Sequence, residues 1–105
     1  MGHLESINFH DAYVYSLMFN WTKKEVSIHL NIILSKGMDA VDRELVFKGV
    51  SSFQATHKAP WGPSSYINNM EIMDEHASIE MQSGDKMDFQ FLSHSLEETH
   101  FIKTR

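Results

Sequence analysis

The chain has 105 residues and a formal net charge of −5, and it contains no cysteine. This length corresponds to about one domain, and the missing cysteines exclude disulfides, thiolate metal sites and cysteine nucleophiles. The acidic balance argues against a nucleic-acid-binding protein, because attraction to phosphate needs a basic surface. We expect one β-domain over residues 1–105, with a core over about 7–95 and a polar C-terminal tail over 96–105.

The N-terminal residues and the apolar runs predict a cytoplasmic protein that does not enter membranes. Residues 1–6 lack the basic start and apolar run of a signal peptide. The longest apolar stretch, residues 32–34, is far too short to cross a bilayer. Small secreted domains usually carry disulfides, so their absence favours a reducing compartment. No phosphate-binding glycine loop is present, and we expect no cofactor.

The first element in chain order is a predicted β-hairpin. Apolar side chains recur at every second position in two runs, which are joined by residues 22–25. Because neighbouring side chains of a strand point to opposite faces, each run should bury one face. The predicted buried residues are Tyr13, Tyr15, Leu17, Phe19 and Trp21 in the first run and Val26, Ile28, Leu30, Ile32 and Leu34 in the second.

The middle of the chain predicts one long strand and a rigid loop. Apolar residues alternate around Gly49, but their phase shifts by one residue there, which predicts a β-bulge at the glycine. Two prolines in residues 59–65 then restrict the backbone of a loop. Residues 66–73 fit a short helix or a strand, because their apolar spacing matches both periods.

A second hairpin is predicted near the C-terminus. Two alternating runs, residues 77–82 and 87–91, flank a turn over residues 83–86 in which a glycine can adopt positive φ. Residues 94–105 are mostly polar and predict an edge strand or a frayed end. The fold class is therefore mainly β: a small antiparallel β-sandwich or a partly open barrel, with at most one short helix.

Two groups of residues are candidates for metal binding or acid–base chemistry. The first is His10 next to Asp11, and the second is the segment from His94 to His100. Neither has the tight ligand spacing of a typical zinc site. We favour a capping role for Asp11, a packing role for His10 and an ordinary polar tail for the second group. We predict no metal site and no catalytic residues.

The loop around Trp61 is the most distinctive segment, and two interpretations of it stay open. Trp61 and Tyr66 could contact a partner, since loops with unusual composition often carry function. Alternatively, Trp61 could close one end of the sandwich as a buried plug.

Four segments resemble the YxiG-like group of small bacterial proteins. They are residues 9–12, residues 45–53 around Phe47 and Gly49, residues 60–64 around Trp61, and residues 81–85. The resemblance covers roughly residues 7–95. It implies a compact bacterial β-domain whose biochemical role is unsettled, with toxin immunity as one suggested role, and it brings no established catalytic residues.

The leading functional hypothesis is a protein-binding module of the toxin-immunity type. Seven acids against one base lie between Asp74 and Glu98. This charge excess is typical of a solvated sheet face, which is the interpretation we favour, but it could also attract a basic toxin. The alternatives are a small metal-dependent or acid–base hydrolase and a homodimer formed through a sheet edge. The candidate binding residues are Trp61, Gly62, Ser64, Tyr66, Ser83, Gly84, Asp85, His10 and Asp11.

Overall fold

The computed structural model describes residues 7–98, which form eight strands in two antiparallel sheets. The first sheet has the strand order β1-β2-β3-β8, and the second has the order β4-β7-β6-β5. The strands are β1 (Tyr13–Asn20), β2 (Glu25–Ile32), β3 (Val41–Lys48), β4 (Ser52–Ala55), β5 (Ile67–Met73), β6 (His76–Met81), β7 (Lys86–Gln90) and β8 (Ser93–Glu98).

The centre of the first sheet follows the predicted alternation closely. In β2 every second residue from Val26 to Ile32 is buried, and the residues between are half-buried on the outer face. β8 returns to the free side of β3 and places Leu96 opposite Leu45. The edge strand predicted near the C-terminus is therefore present, and it continues past residue 96, where the sequence predicted a tail.

The second sheet contains the other predicted hairpin. β6 and β7 pair around the 82–85 turn and bury Ala77, Ile79, Met87 and Phe89. Residues 67–73, which fitted a helix or a strand, form β5 at one edge of this sheet. The described part of the chain, residues 7–98, has no helix, and so none that could cross a membrane.

A single apolar core lies between the two sheets. Phe47 of β3 contacts Phe89 and Phe91, with ring centroids 4.6 and 4.9 Å away, and so joins the first sheet to the second. The sheets are not closed into a barrel, although an isolated bridge pairs Tyr13 with Tyr66 at one corner. The predicted β-sandwich is thus confirmed.

The predicted buried face of the first strand is wrong in part. The register of β1 against β2 shifts between Val14 and Ser16, which inserts Tyr15 as an extra residue and leaves its side chain 50% exposed. Val14 and Leu17 pack against the core instead. Beyond them Phe19 is 36% exposed, and Trp21, which follows the end of β1, is 82% exposed.

The long strand predicted around Gly49 is also wrong. Residues 49–51 carry the chain from β3 in the first sheet to β4 in the second, so the phase shift marks a crossover between sheets. Gly49 has φ of 69°, and a Cβ atom there would lie 2.8 Å from the side chain of Leu92. Positive φ and close contact explain why glycine occupies this position.

Candidate functional site

Three segments that are distant in sequence meet at one end of the molecule. The Trp61 N–H donates to the carbonyl of Ser83 at 3.0 Å, and the Gln82 N–H donates to the carbonyl of Tyr66 at 2.9 Å. The Asp11 N–H donates to the carbonyl of Ile67 at 2.8 Å. The loop of residues 56–66, the 82–85 turn and residues 8–12 are therefore connected through their backbones.

Asp85 holds the loop in place from beneath. Its side chain is buried, and its Oδ1 accepts hydrogen bonds from Thr56 Oγ1 at 2.8 Å and from the Lys58 N–H at 2.6 Å. Its Oδ2 accepts from the Ala59 N–H at 2.9 Å and from Ser83 Oγ at 2.8 Å. One carboxylate thus satisfies four donors, and the N–H groups at the start of the loop need no water.

These hydrogen bonds determine the protonation state of Asp85. Burial by itself would raise the pKa of this carboxyl, because a low-polarity environment disfavours charge. The hydrogen bonds from Lys58, Ser83, Thr56 and Ala59 stabilise the charged form and outweigh burial, so they hold the pKa of Asp85 well below its usual range. The buried carboxylate is therefore ionised at neutral pH.

Gly84 lets the loop lie directly on the turn. It has φ of 92°, a backbone conformation that favours glycine. A Cβ atom there would lie 2.8 Å from Pro60 Cγ and 2.9 Å from Trp61 Cδ2. One side of the Trp61 indole thus contacts the turn at Gly84, and a larger residue at position 84 would displace the indole.

Gly84→Ala is expected to destabilise the protein by about 1–3 kcal/mol, because the new methyl group meets both strain at positive φ and the Trp61 ring. Urea unfolding monitored by circular dichroism measures the change. Gly37→Ala is the matched control, since Gly37 also has positive φ (86°) but an added Cβ meets nothing within 4 Å. Equal losses in the two variants would contradict a contact between the turn and Trp61.

Trp61 lies on the surface and does not plug the sandwich. Its side chain is 69% exposed, and Tyr66 at the end of the loop is 45% exposed. Tyr66 packs edge-to-face on Tyr13 with 5.2 Å between ring centroids, and its N–H donates to Ser64 Oγ at 3.2 Å. Gly62 turns the loop with φ of 104°. We call the exposed residues His10, Asp11, Trp61 and Tyr66 the Trp61 surface.

The side chains of His10 and Asp11 lie close together at the turn before β1. Asp11 has φ of 70°, which turns the chain and brings His10 Nε2 to 3.5 Å from Asp11 Oδ2. Asp11 Oδ1 accepts a hydrogen bond from Gln82 Nε2 at 2.5 Å. His10 Nδ1 lies 2.7 Å from the carbonyl of Asn68, which can only accept, so this nitrogen carries a proton.

The His10 ring is half exposed, with Nδ1 facing the carbonyl of Asn68 and Nε2 facing the Asp11 carboxylate. His10 and Asp11 border an open concavity of about 920 Å³, which is also lined by residues 31–37.

The histidines form no metal centre in the described structure. Within residues 7–98 no group of three or more histidine or acidic side chains is placed to hold an ion. His94 lies in β8, where its ring contacts Phe91 with centroids 5.5 Å apart. His100, the other end of the predicted cluster, lies outside the described residues.

The structure sorts the candidate residues by role. Ser83, Gly84 and Asp85 lie beneath the loop, whereas Trp61, Tyr66, His10 and Asp11 are exposed. Thr56 and Gln82, which are not among the predicted site residues, join the segments through side-chain hydrogen bonds. No local pattern marks either residue, because their partners lie 29 and 71 positions away.

Comparison of the chain with protein-family models and with curated protein sequences gave no match.

Proposed function

We propose that this protein is a non-enzymatic protein-binding module whose Trp61 surface contacts the partner. The observation that carries the proposal is a loop that is held by hydrogen bonds to the buried Asp85 carboxylate. This loop presents the exposed aromatic side chains of Trp61 and Tyr66. Tryptophan and tyrosine are enriched among residues that dominate binding energy. A loop already held in one conformation loses little entropy on binding.

Charge supports a basic partner. The outer face of the second sheet carries Glu71, Glu80 and Asp88 against one base, Lys86, which lies opposite Glu80. Across the whole chain the net charge is −5. Complementary charge speeds association and selects partners. Together with the resemblance to YxiG-like proteins, this supports a cytoplasmic bacterial immunity protein that binds a basic toxin, and the protein would act as a monomer or a homodimer.

Trp61→Ala is expected to weaken binding to a toxin encoded beside this protein by about 30-fold or more, the loss typical of a central aromatic contact. Isothermal titration at low salt measures the affinity. The free energy of unfolding should change by less than about 1 kcal/mol, because the side chain is mostly exposed.

Trp21→Ala is the matched control, since Trp21 is even more exposed but lies in another part of the molecule. It should leave toxin affinity unchanged. Absence of binding by the wild-type protein at low salt would contradict the immunity role. Equal affinity of the wild type and Trp61→Ala would contradict the Trp61 surface.

A further inference from the structure

A second exposed aromatic group lies away from the Trp61 surface, at the corner where β1 and β4 meet. Phe19 stacks on Phe53 with ring centroids 5.7 Å apart and 22° between planes, and it contacts Trp21 edge-to-face at 5.9 Å. These rings border a concavity of about 380 Å³. We call it the Trp21 pocket, and its lining residues are Phe19, Trp21, Lys24, Val50, Ser51, Ser52 and Phe53.

The charge at this pocket is opposite to that of the molecule. Lys24 is the one charged residue that lines it, and Lys23 precedes it in the same turn. Neither lysine forms an ion pair within residues 7–98. In a chain with a net charge of −5, an apolar pocket bordered by unpaired lysines is complementary to an acidic ligand with an apolar side chain.

The pocket also lies beside an open strand edge. β4 pairs with β7 on one side, and the described part of the chain places no strand on its other side. The Thr56 N–H donates to the carbonyl of Lys86 across the β4–β7 pair. Because hydrogen-bonding direction alternates along an antiparallel strand, the N–H and C=O groups of Phe53 and Ala55 point away from β7. They can pair with an added strand.

We propose that this corner binds an extended acidic segment of a partner protein. The segment adds a strand along Phe53–Ala55, inserts one apolar side chain into the Trp21 pocket and places a carboxylate at Lys24. Backbone pairing supplies part of the affinity, and the pocket and the lysine supply selectivity. This surface is separate from the Trp61 surface, so the inference does not depend on the proposed toxin partner.

A labelled nonapeptide tests the proposal by fluorescence anisotropy. The probe alternates acidic residues with threonine and valine around a central phenylalanine, and its comparison peptide has lysine at every acidic position. We expect the acidic peptide to bind at least 10-fold more tightly, with an affinity that falls as salt is added. Methylation of the alternate backbone nitrogens that would donate to β4 should abolish binding.

Single substitutions test whether the peptide binds at this corner and not elsewhere on the molecule. Trp21→Ala and Lys24→Asn should each weaken peptide binding at least 5-fold, and asparagine tolerates the positive φ of 57° at position 24. Trp61→Ala and Lys36→Asn are the controls and should have no effect. Equal binding of the acidic and basic peptides, or no binding at millimolar concentration, would overturn the proposal. So would a dimer in sedimentation velocity that Trp21→Ala dissociates, because the occupant would then be a second copy.

Discussion

Asp85→Asn is expected to cause the largest loss of stability of any polar substitution in this protein. The asparagine amide keeps one acceptor oxygen, but its NH₂ group then faces donors on the other side. If the amide oxygen stays toward Thr56 and Lys58, the Ala59 N–H loses its acceptor. A buried donor without a partner is costly, and the loop of residues 56–66 should detach from the turn.

Two measurements check this expectation. The melting temperature should fall, and trypsin should cleave after Lys58 much faster than in the wild-type protein. Asp88→Asn is the matched control, because Asp88 lies on the exposed face of the neighbouring strand, and it should change the free energy of unfolding by less than about 0.5 kcal/mol. Similar cleavage rates in the two variants would show that Asp85 does not hold the loop.

The lowered pKa of Asp85 determines how its contribution to the free energy of unfolding changes with pH. The folded state lowers the pKa of Asp85, so its contribution to stability is complete above the unfolded pKa, about 4. That contribution is lost as the pH falls from about 4 toward the lower folded value. The stability difference between the wild type and Asp85→Asn should therefore be constant near neutral pH and shrink below about pH 4. A difference that grew on acidification would contradict this assignment.

Phe47→Ala is expected to destabilise the protein by about 3–5 kcal/mol, because it removes a fully buried ring and leaves a cavity. Phe47 contacts the rings of Phe89 in β7 and of Phe91 just after β7. The cavity would therefore lie between the two sheets. Small domains have a total stability of only about 5–15 kcal/mol.

Urea unfolding measures the loss as a lower midpoint at an unchanged slope. Met18→Ala is the matched control, because Met18 belongs to the same sheet but is 55% exposed. It should cost less than about 0.5 kcal/mol. A loss below 1 kcal/mol for Phe47→Ala would mean that this ring does not join the sheets.

The sequence predicts the central strands well because their burial is a local property. β2 lies between two neighbours and under the other sheet, so its alternating apolar residues all point to the core. β1 has the same alternation but lies at an edge, where a bulge turns Tyr15 outward. The pattern of apolar residues does not show which strand lies at the edge of a sheet, or which of its residues pack against the other sheet.

The sequence singled out several residues of the candidate site, but neither their burial nor the side-chain contacts of Thr56 and Gln82. A turn that contains glycine and aspartate predicts solvent exposure, and Asp85 is nevertheless buried. The cause is a loop 26 to 29 residues earlier in the chain that folds over it. Likewise, the position of Trp21 at the end of an alternating apolar run predicts a buried side chain, but Trp21 lies at a corner of the sheet and is exposed.

The pairing of β3 with β8 has a consequence for biosynthesis. Leu45 and Leu96 are opposite one another but 51 positions apart in the chain, and the whole second sheet lies between them in sequence. During translation β3 therefore remains an open edge until residues 93–98 have left the ribosome, and open edges favour pairing between chains. Slow synthesis of the last third of the chain, or truncation before β8, should increase aggregation of the nascent protein.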